Sequence, residues 1–111
     1  MNDIISNLSI ELKRGTYVIV VLTLLKESTY GYSLTIKLEE IGFPIDQNTL
    51  YPLMRRLEKQ GLLKSDWNTD ESRPRKYYII TKLGLEVLEE LINMWKNQER
   101  DMLKLLGGKN E

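Results

Sequence analysis

At Gly61 the hydrophobic pattern of this chain changes from a helical to a strand-like period, and at Thr81 it changes back. Before Gly61, the apolar residues Leu50, Leu53, Met54 and Leu57 fall at i, i+3, i+4 and i+7, one stripe of an amphipathic helix. After it, Leu63, Ser65 and Trp67 alternate with Leu62, Lys64 and Asp66. Beyond a polar turn Tyr77 and Ile79 alternate with Tyr78 and Ile80, so the stretch reads as a β-hairpin. A helix feeding straight into a hairpin and then into another helix leaves few architectures open to 111 residues, the size of a single small domain.

The remaining elements follow from local signals. Ile4, Ile5, Leu8 and Leu12 give residues 3–12 the pattern of a short amphipathic helix, broken at Gly15. Thr16–Glu27 is ambiguous: Tyr17 to Val21 are β-branched or aromatic and suit a strand, but an apolar run through Leu24 and Leu25 has the length of a buried helix. Ser28-Thr29-Tyr30 precede another helix, carrying Leu34, Ile36, Leu38 and Ile41 and capped by Gly42. Phe43-Pro44-Ile45 is a turn, since Pro44 disfavours helix at Phe43. Asp46 or Asn48 can cap the next helix, and Pro52, tolerable only near a first turn, draws its start towards Asn48. The hairpin loop, Asn68 to Pro74, is too long for a two-residue turn and its tip should project into solvent. Thr81 is placed to cap a last helix running to about Leu106.

The predicted fold class is therefore mainly α (α+β), a winged helix-turn-helix with a two-stranded β-hairpin wing and a long C-terminal dimerisation helix. It divides into an N-terminal amphipathic arm (1–13), a winged domain (14–81), the C-terminal helix (82–106) and a frayed tail (107–111).

Composition removes whole classes of chemistry. The chain has no Cys and no His, which excludes a disulfide frame, a Cys zinc site, a thiol nucleophile and the usual general base. Asp70 and Glu71 are loop acids beside three cations, with no nucleophile or phosphate-binding Gly loop near them, so they are read as trimming the charge of the wing. No catalytic residue, metal or cofactor is expected. The longest apolar stretch, Tyr17–Leu25, is interrupted by Thr23 and falls short of the ~18 residues of a membrane span. Met1-Asn2-Asp3 lacks the basic start of a secretory signal, so a cytoplasmic location without membrane association is expected.

Sixteen Lys plus Arg balance sixteen Asp plus Glu, and a net charge of zero argues at first sight against a polyanionic ligand. The charge is unevenly placed. Residues 46–81 hold seven Lys and Arg against five Asp and Glu, a net of +2. Residues 1–45 hold four against five, and residues 82–106 also four against five, each a net of −1. Arg73-Pro74-Arg75-Lys76 is the sharpest cluster. Three cations at a hairpin tip repel one another unless an anion or solvent screens them, although charge on a strand edge also deters aggregation.

Four blocks carry a family resemblance: Arg14-Gly15-Thr16, Tyr30-Gly31-Tyr32, the run from Thr49-Leu50-Tyr51-Pro52 through Arg55-Arg56-Leu57-Glu58 to Gly61-Leu62, and Pro74-Arg75-Lys76-Tyr77-Tyr78-Ile79-Ile80-Thr81. In this order, over residues 14 to about 82, they resemble the phenolic-acid-decarboxylase-regulator-like (PadR-like) transcription factors, in the short subclass that lacks a larger C-terminal helical domain. The resemblance implies a homodimeric prokaryotic repressor that binds a pseudo-palindromic operator in double-stranded DNA and often releases it on binding a small molecule. It also implies that Thr16–Glu27 is helix. By motif position Tyr32, Thr49, Tyr51 and Arg55 are implied to lie near DNA, with Arg75 and Lys76 in the wing. The chemistry agrees, because Tyr and Thr hydroxyls can bond phosphate oxygens and Arg can clamp phosphate or read guanine. Arg73 joins them through the basic cluster. Asn48 is added because an amide at a helix start can read adenine, with helix capping as its alternative role. Tyr77 and Tyr78 are read as structural.

In the last helix Leu88, Trp95 and Met102 recur every seven residues, and Leu91, Gln98 and Leu105 follow three beyond each, an a/d seam broken once at Gln98. With Ile92 widening the stripe, the expected dimer interface comprises Leu88, Leu91, Ile92, Trp95, Met102 and Leu105, and the N-terminal arm is expected to pack on this helix as a second layer. Trp95 is either an interface anchor or, paired across a two-fold axis, a platform for a planar, hydrophobic or aromatic effector. The competing functional class is a winged-helix adaptor that binds protein and never DNA.

Overall fold

The structure, a computed structural model, describes residues 1–69 and 72–107. Asp70 and Glu71, and the tail residues 108–111, lie outside the described residues. In chain order the elements are α1 (Asn2–Arg14), α2 (Tyr17–Leu24), β1 (Thr29–Tyr30), α3 (Gly31–Glu40), α4 (Gln47–Lys59), β2 (Leu63–Asn68), β3 (Arg75–Ile80) and α5 (Lys82–Leu105).

The ambiguous apolar run is the helix α2. Its apolar residues go all round because it lies in the middle of the core, where Val21, Leu22 and Leu25 are completely enclosed. Leu34 and Leu38 of α3, Leu50, Met54 and Leu57 of α4, and Leu63, Tyr78 and Ile80 of the sheet close over it. Both turns that set the angle of α4 use a left-handed glycine. Gly42 (φ 76°) ends α3 with Phe43 N–H on the Leu38 carbonyl at 2.9 Å and Gly42 N–H on that of Glu39 at 3.0 Å. Gly61 (φ 84°) ends α4 in the same way, Leu62 N–H reaching the Leu57 carbonyl at 2.9 Å.

Of the two caps open to α4, the first is used. Asp46 is the cap, its Oδ2 accepting from Asn48 N–H at 3.1 Å, so the helix begins at Gln47 and Pro52 sits inside it, a residue or two deeper than a start at Asn48 would place it. Pro52 cannot donate to the Asn48 carbonyl, a loss made tolerable because this side of the helix is exposed to water.

The sheet is antiparallel and three-stranded, in the order β1-β3-β2. The hairpin pairs from Leu63↔Ile80 out to Asn68↔Arg75, and the two-residue strand β1 adds Thr29↔Tyr78 and Tyr30↔Tyr77. The two-stranded wing is as expected, and β1 adds a short third strand beside it that the sequence did not signal. That strand ties the start of α3 to the wing. Thr81 closes the junction with α5, its hydroxyl donating to the Gly61 carbonyl (2.6 Å) and accepting from Gly84 N–H (2.9 Å).

Two elements leave the core. Of α5 only Gly84 and Leu88 are buried, and every residue from 93 to 107 is exposed. None of the residues of α1 is buried, and Ile4, Ile5, Leu8 and Leu12 stand more than half exposed. One expectation is corrected here. Leu88 is 2% exposed within the core of its own chain, which removes it from any seam with a partner. The N-terminal arm meets α5 of its own chain at Leu12, which shares a groove with Leu91, Met94 and Trp95, and it leaves the rest of its apolar face open. Among the described residues, no helix is long and apolar enough to cross a membrane.

Candidate nucleic-acid interface

With Leu50, Met54 and Leu57 turned into the core, helical geometry turns Asn48, Pro52, Arg55 and Lys59 outward as the ridge of α4, and all four are exposed. Tyr51 and Glu58 fall on the flank towards the sheet. Thr49 and Arg56 fall on the opposite flank. Asn48 is free of the capping role that competed for it, because Asp46 fills that role.

On the sheet side a groove of about 290 Å³ is lined by Tyr30, Tyr32, Tyr51, Tyr78, Arg55 and Lys76. Four phenols and two cations with no carboxylate among them form a surface that donates hydrogen bonds and attracts anions. Burial, and then the neighbouring phenols of Tyr30, Tyr78 and Tyr32, push the Tyr51 hydroxyl above its ordinary pKa, so at neutral pH it keeps its proton and can donate it. The structure thus brings together Tyr32, Tyr51, Arg55 and Lys76 of the expected set.

Lys76 lines this groove, and Arg75 stands beside it on the same strand of the wing. Pairing continues to Asn68↔Arg75, so both are strand residues at the outer end of the wing's ladder, next to the tip, and of the three cations only Arg73 lies in the loop, where it is exposed. The Arg75 guanidinium lies over the Tyr30 ring at 5.0 Å and the Lys76 ammonium over Tyr78 at 5.3 Å. Tyr30 in turn packs against Tyr77 (ring centroids 5.9 Å apart). Glu58 joins α4 to the wing, accepting from Ser65 Oγ at 2.5 Å and holding Lys76 Nζ at 3.9 Å. Thr49 stands apart from the group, half-buried on the far flank of α4 with Arg14 and Arg56.

Sequence reasoning missed Tyr30 and Glu58. Their roles depend on strand register, which carries no local sign, although both lie within recognised blocks.

Three helices and a hairpin that present an exposed helix ridge beside a cationic, hydroxyl-rich groove define a winged helix-turn-helix protein. The comparisons agree: residues 21–90 match the Transcriptional regulator PadR-like family, and the chain belongs to that family. It is similar to a PadR family transcriptional regulator from Eggerthella lenta, 49% identical with a TM-score of 0.91, over 99% of this chain and 96% of that one. A PadR-like transcriptional regulator from Bacillus cereus is 32% identical with a TM-score of 0.77, over 89% and 99% of the two chains. Transcriptional regulator Rv3488 of Mycobacterium tuberculosis is 38% identical over 61 residues, 55% of this chain and 57% of its own length. The chain is accordingly a transcriptional regulator and not an enzyme.

Proposed function

We propose that this chain is a cytoplasmic repressor that binds a pseudo-palindromic operator as a homodimer. In this reading α4 enters the major groove and sets Asn48 and Arg55 against base edges, while Tyr32, Tyr51 and Lys76 hold one phosphate strand. Arg75 supports that surface from the outer end of the wing's strand, Arg73 extends it at the tip, and Thr49 meets the backbone on the other flank. The observation that carries the reading is the convergence of Tyr32, Tyr51, Arg55 and Lys76 on one groove beside the exposed ridge of α4. The test is footprinting on the DNA immediately upstream of the protein's own gene, where a protected two-fold sequence is expected. No protection, with DNA affinity indifferent to salt, would favour an adaptor that binds protein. Replacing Arg75 and Lys76 together by Ala should lower the salt slope of DNA binding by about two units, one for each phosphate contact.

Dimerisation is supported by the apolar surface left bare. Along the outer half of α5, Trp95, Met102 and Leu105 are exposed, with Leu91 and Ile92 half-buried below them, and the open face of α1 lies in the same chain. Large side chains gain about 1.5–3 kcal/mol each on full burial, so a partner covering several of them can offset the cost of association. Residues 1–13 and 82–106 are then the dimerising parts and 14–81 the DNA-binding part. Leu105→Asp together with Ile5→Asp should yield monomers in sedimentation and abolish cooperative operator binding.

Trp95 lines a groove of about 410 Å³ with Leu12, Val18, Ile19, Leu91 and Met94, and its composition suits a planar hydrophobic effector that releases DNA. Titration with planar aromatic compounds should quench tryptophan fluorescence in Trp67→Phe, which keeps Trp95. If quenching instead survives in Trp95→Phe, Trp95 is an interface anchor only.

A further inference from the structure

The flank of α4 turned away from the wing carries a second groove, of about 370 Å³. Arg14 reaches it from the end of α1 and Arg56 from α4, with Thr49, Pro52, Tyr17 and Val18 between them. No carboxylate lines it, and among the described residues neither guanidinium is ion-paired. Two arginines lining one groove without a counter-charge raise the potential there and favour an anion. Thr49 and Arg56 stand roughly 140–160° around the helix axis from Tyr51, so the two cationic grooves lie on opposite sides of α4.

That spacing fits one ligand. A helix with its side chains is about 10–12 Å across and the major groove of B-DNA about 12 Å wide, so an inserted helix meets a phosphate strand beyond each flank. We propose that Arg14 and Arg56, assisted by the Thr49 hydroxyl, bind a backbone phosphate of the DNA strand opposite the one held on the wing side. This rests on the DNA-binding reading above and deepens it, because it gives α4 a clamp on both walls of the groove. It also gives the end of α1, otherwise an arm with no buried residue, a contact with the operator. A guanidinium fork matches two phosphate oxygens, and a Thr hydroxyl can donate to a third contact point.

The test is fluorescence anisotropy of the full-length protein on its footprinted duplex and on an unrelated duplex of equal length, across a series of salt concentrations. Arg14→Ala and Arg56→Ala should each weaken binding to both duplexes by the same factor, about 3- to 10-fold, and each should make the log–log salt slope shallower by about one unit. Arg14→Lys should restore the slope, since it keeps the charge. The proposal is overturned if the wild type binds and either alanine variant keeps the wild-type slope, or if Arg14→Lys behaves as Arg14→Ala, which would mark a packing role. Failure of the wild type to bind either duplex overturns the DNA-binding reading along with it. Thermal melting of each variant at one protein concentration separates these outcomes from loss of fold.

Discussion

Gly84→Ala should lower the melting temperature by roughly 8–20 °C, more than any single change at the proposed DNA interface. A Cβ added at Gly84 would stand 2.3 Å from the Leu62 carbonyl oxygen and 2.6 Å from Ile80 Cγ1. The first of these is backbone and is already committed, since the Leu62 carbonyl accepts from Thr81 N–H at 3.0 Å. Relieving the clash means lifting the start of α5 off the turn between α4 and β2, which also strains the Thr81 cap on Gly84 N–H. Overpacking of this kind costs about 1–3 kcal/mol, with the rigid backbone contact placing Gly84 at the upper end, and about 1 kcal/mol moves the midpoint of a domain this size by 4–8 °C. Gly15→Ala is the control, because a Cβ there meets nothing within 4 Å. Melting curves should be compared at one protein concentration, as a dimer's midpoint depends on it. Equal midpoints for the two variants would mean that α5 does not sit as close to the turn as described.

The second large effect is expected on recognition. Asn48→Ala combined with Arg55→Ala should erase most of the preference for the operator over an unrelated duplex. The two side chains occupy the outermost ridge of α4, and a good bidentate base contact is worth about 1–3 kcal/mol of discrimination, so the pair should reduce operator affinity by roughly 30-fold or more. Non-specific affinity should change far less. The Arg75 and Lys76 double variant should behave in the opposite way, weakening both duplexes together. Arg55 is the informative member, since it also borders the tyrosine-lined groove. A uniform loss for Arg55→Ala alone would assign its guanidinium to phosphate and leave Asn48 as the base reader.

The parts of this fold legible in the sequence are those with a repeating local signal. The stripe of Leu50, Met54 and Leu57, the glycines at 42 and 61, the alternation through Tyr77 to Ile80 and the Thr81 cap each declare an element by residue type and spacing. Strand β1 carried no such signal, because two residues are too few to show a period, and its pairing with Tyr77 and Tyr78 is a long-range event. The exact place of Arg75 and Lys76 within the wing is not legible for a related reason. How far pairing runs up the hairpin decides whether a residue lies on the strand or at the tip, and the sequence does not mark that limit. Leu88 illustrates a different gap: a heptad records which residues share a face but not whether the face meets the chain's own core or another chain. The interface residues are legible one by one as hydroxyls and cations. What brings them together, the Glu58 bridge to Ser65 and Lys76 and the stacking of Arg75 on Tyr30, is tertiary.

The zero net charge takes on a definite meaning once the cations are located. Arg55, Arg75 and Lys76 gather on the wing side of α4 and Arg14 and Arg56 on the other. The acids that balance them include Glu86, Glu89, Glu90, Glu99 and Asp101 along α5, outside both grooves. A neutral sum restrains non-specific attraction to DNA, so specificity must rest on two-fold matching and base contacts more than on bulk electrostatics.

The most direct measurement is the affinity of the purified protein for the duplex protected upstream of its own gene, against a scrambled duplex of the same length, between about 50 and 200 mM salt. The expected result is two chains per site, at least a ~10³-fold preference for the protected sequence, and affinity that falls steeply as salt rises. Equal affinity for the two duplexes, or binding that does not respond to salt, would contradict sequence-specific recognition by α4 and its flanking grooves.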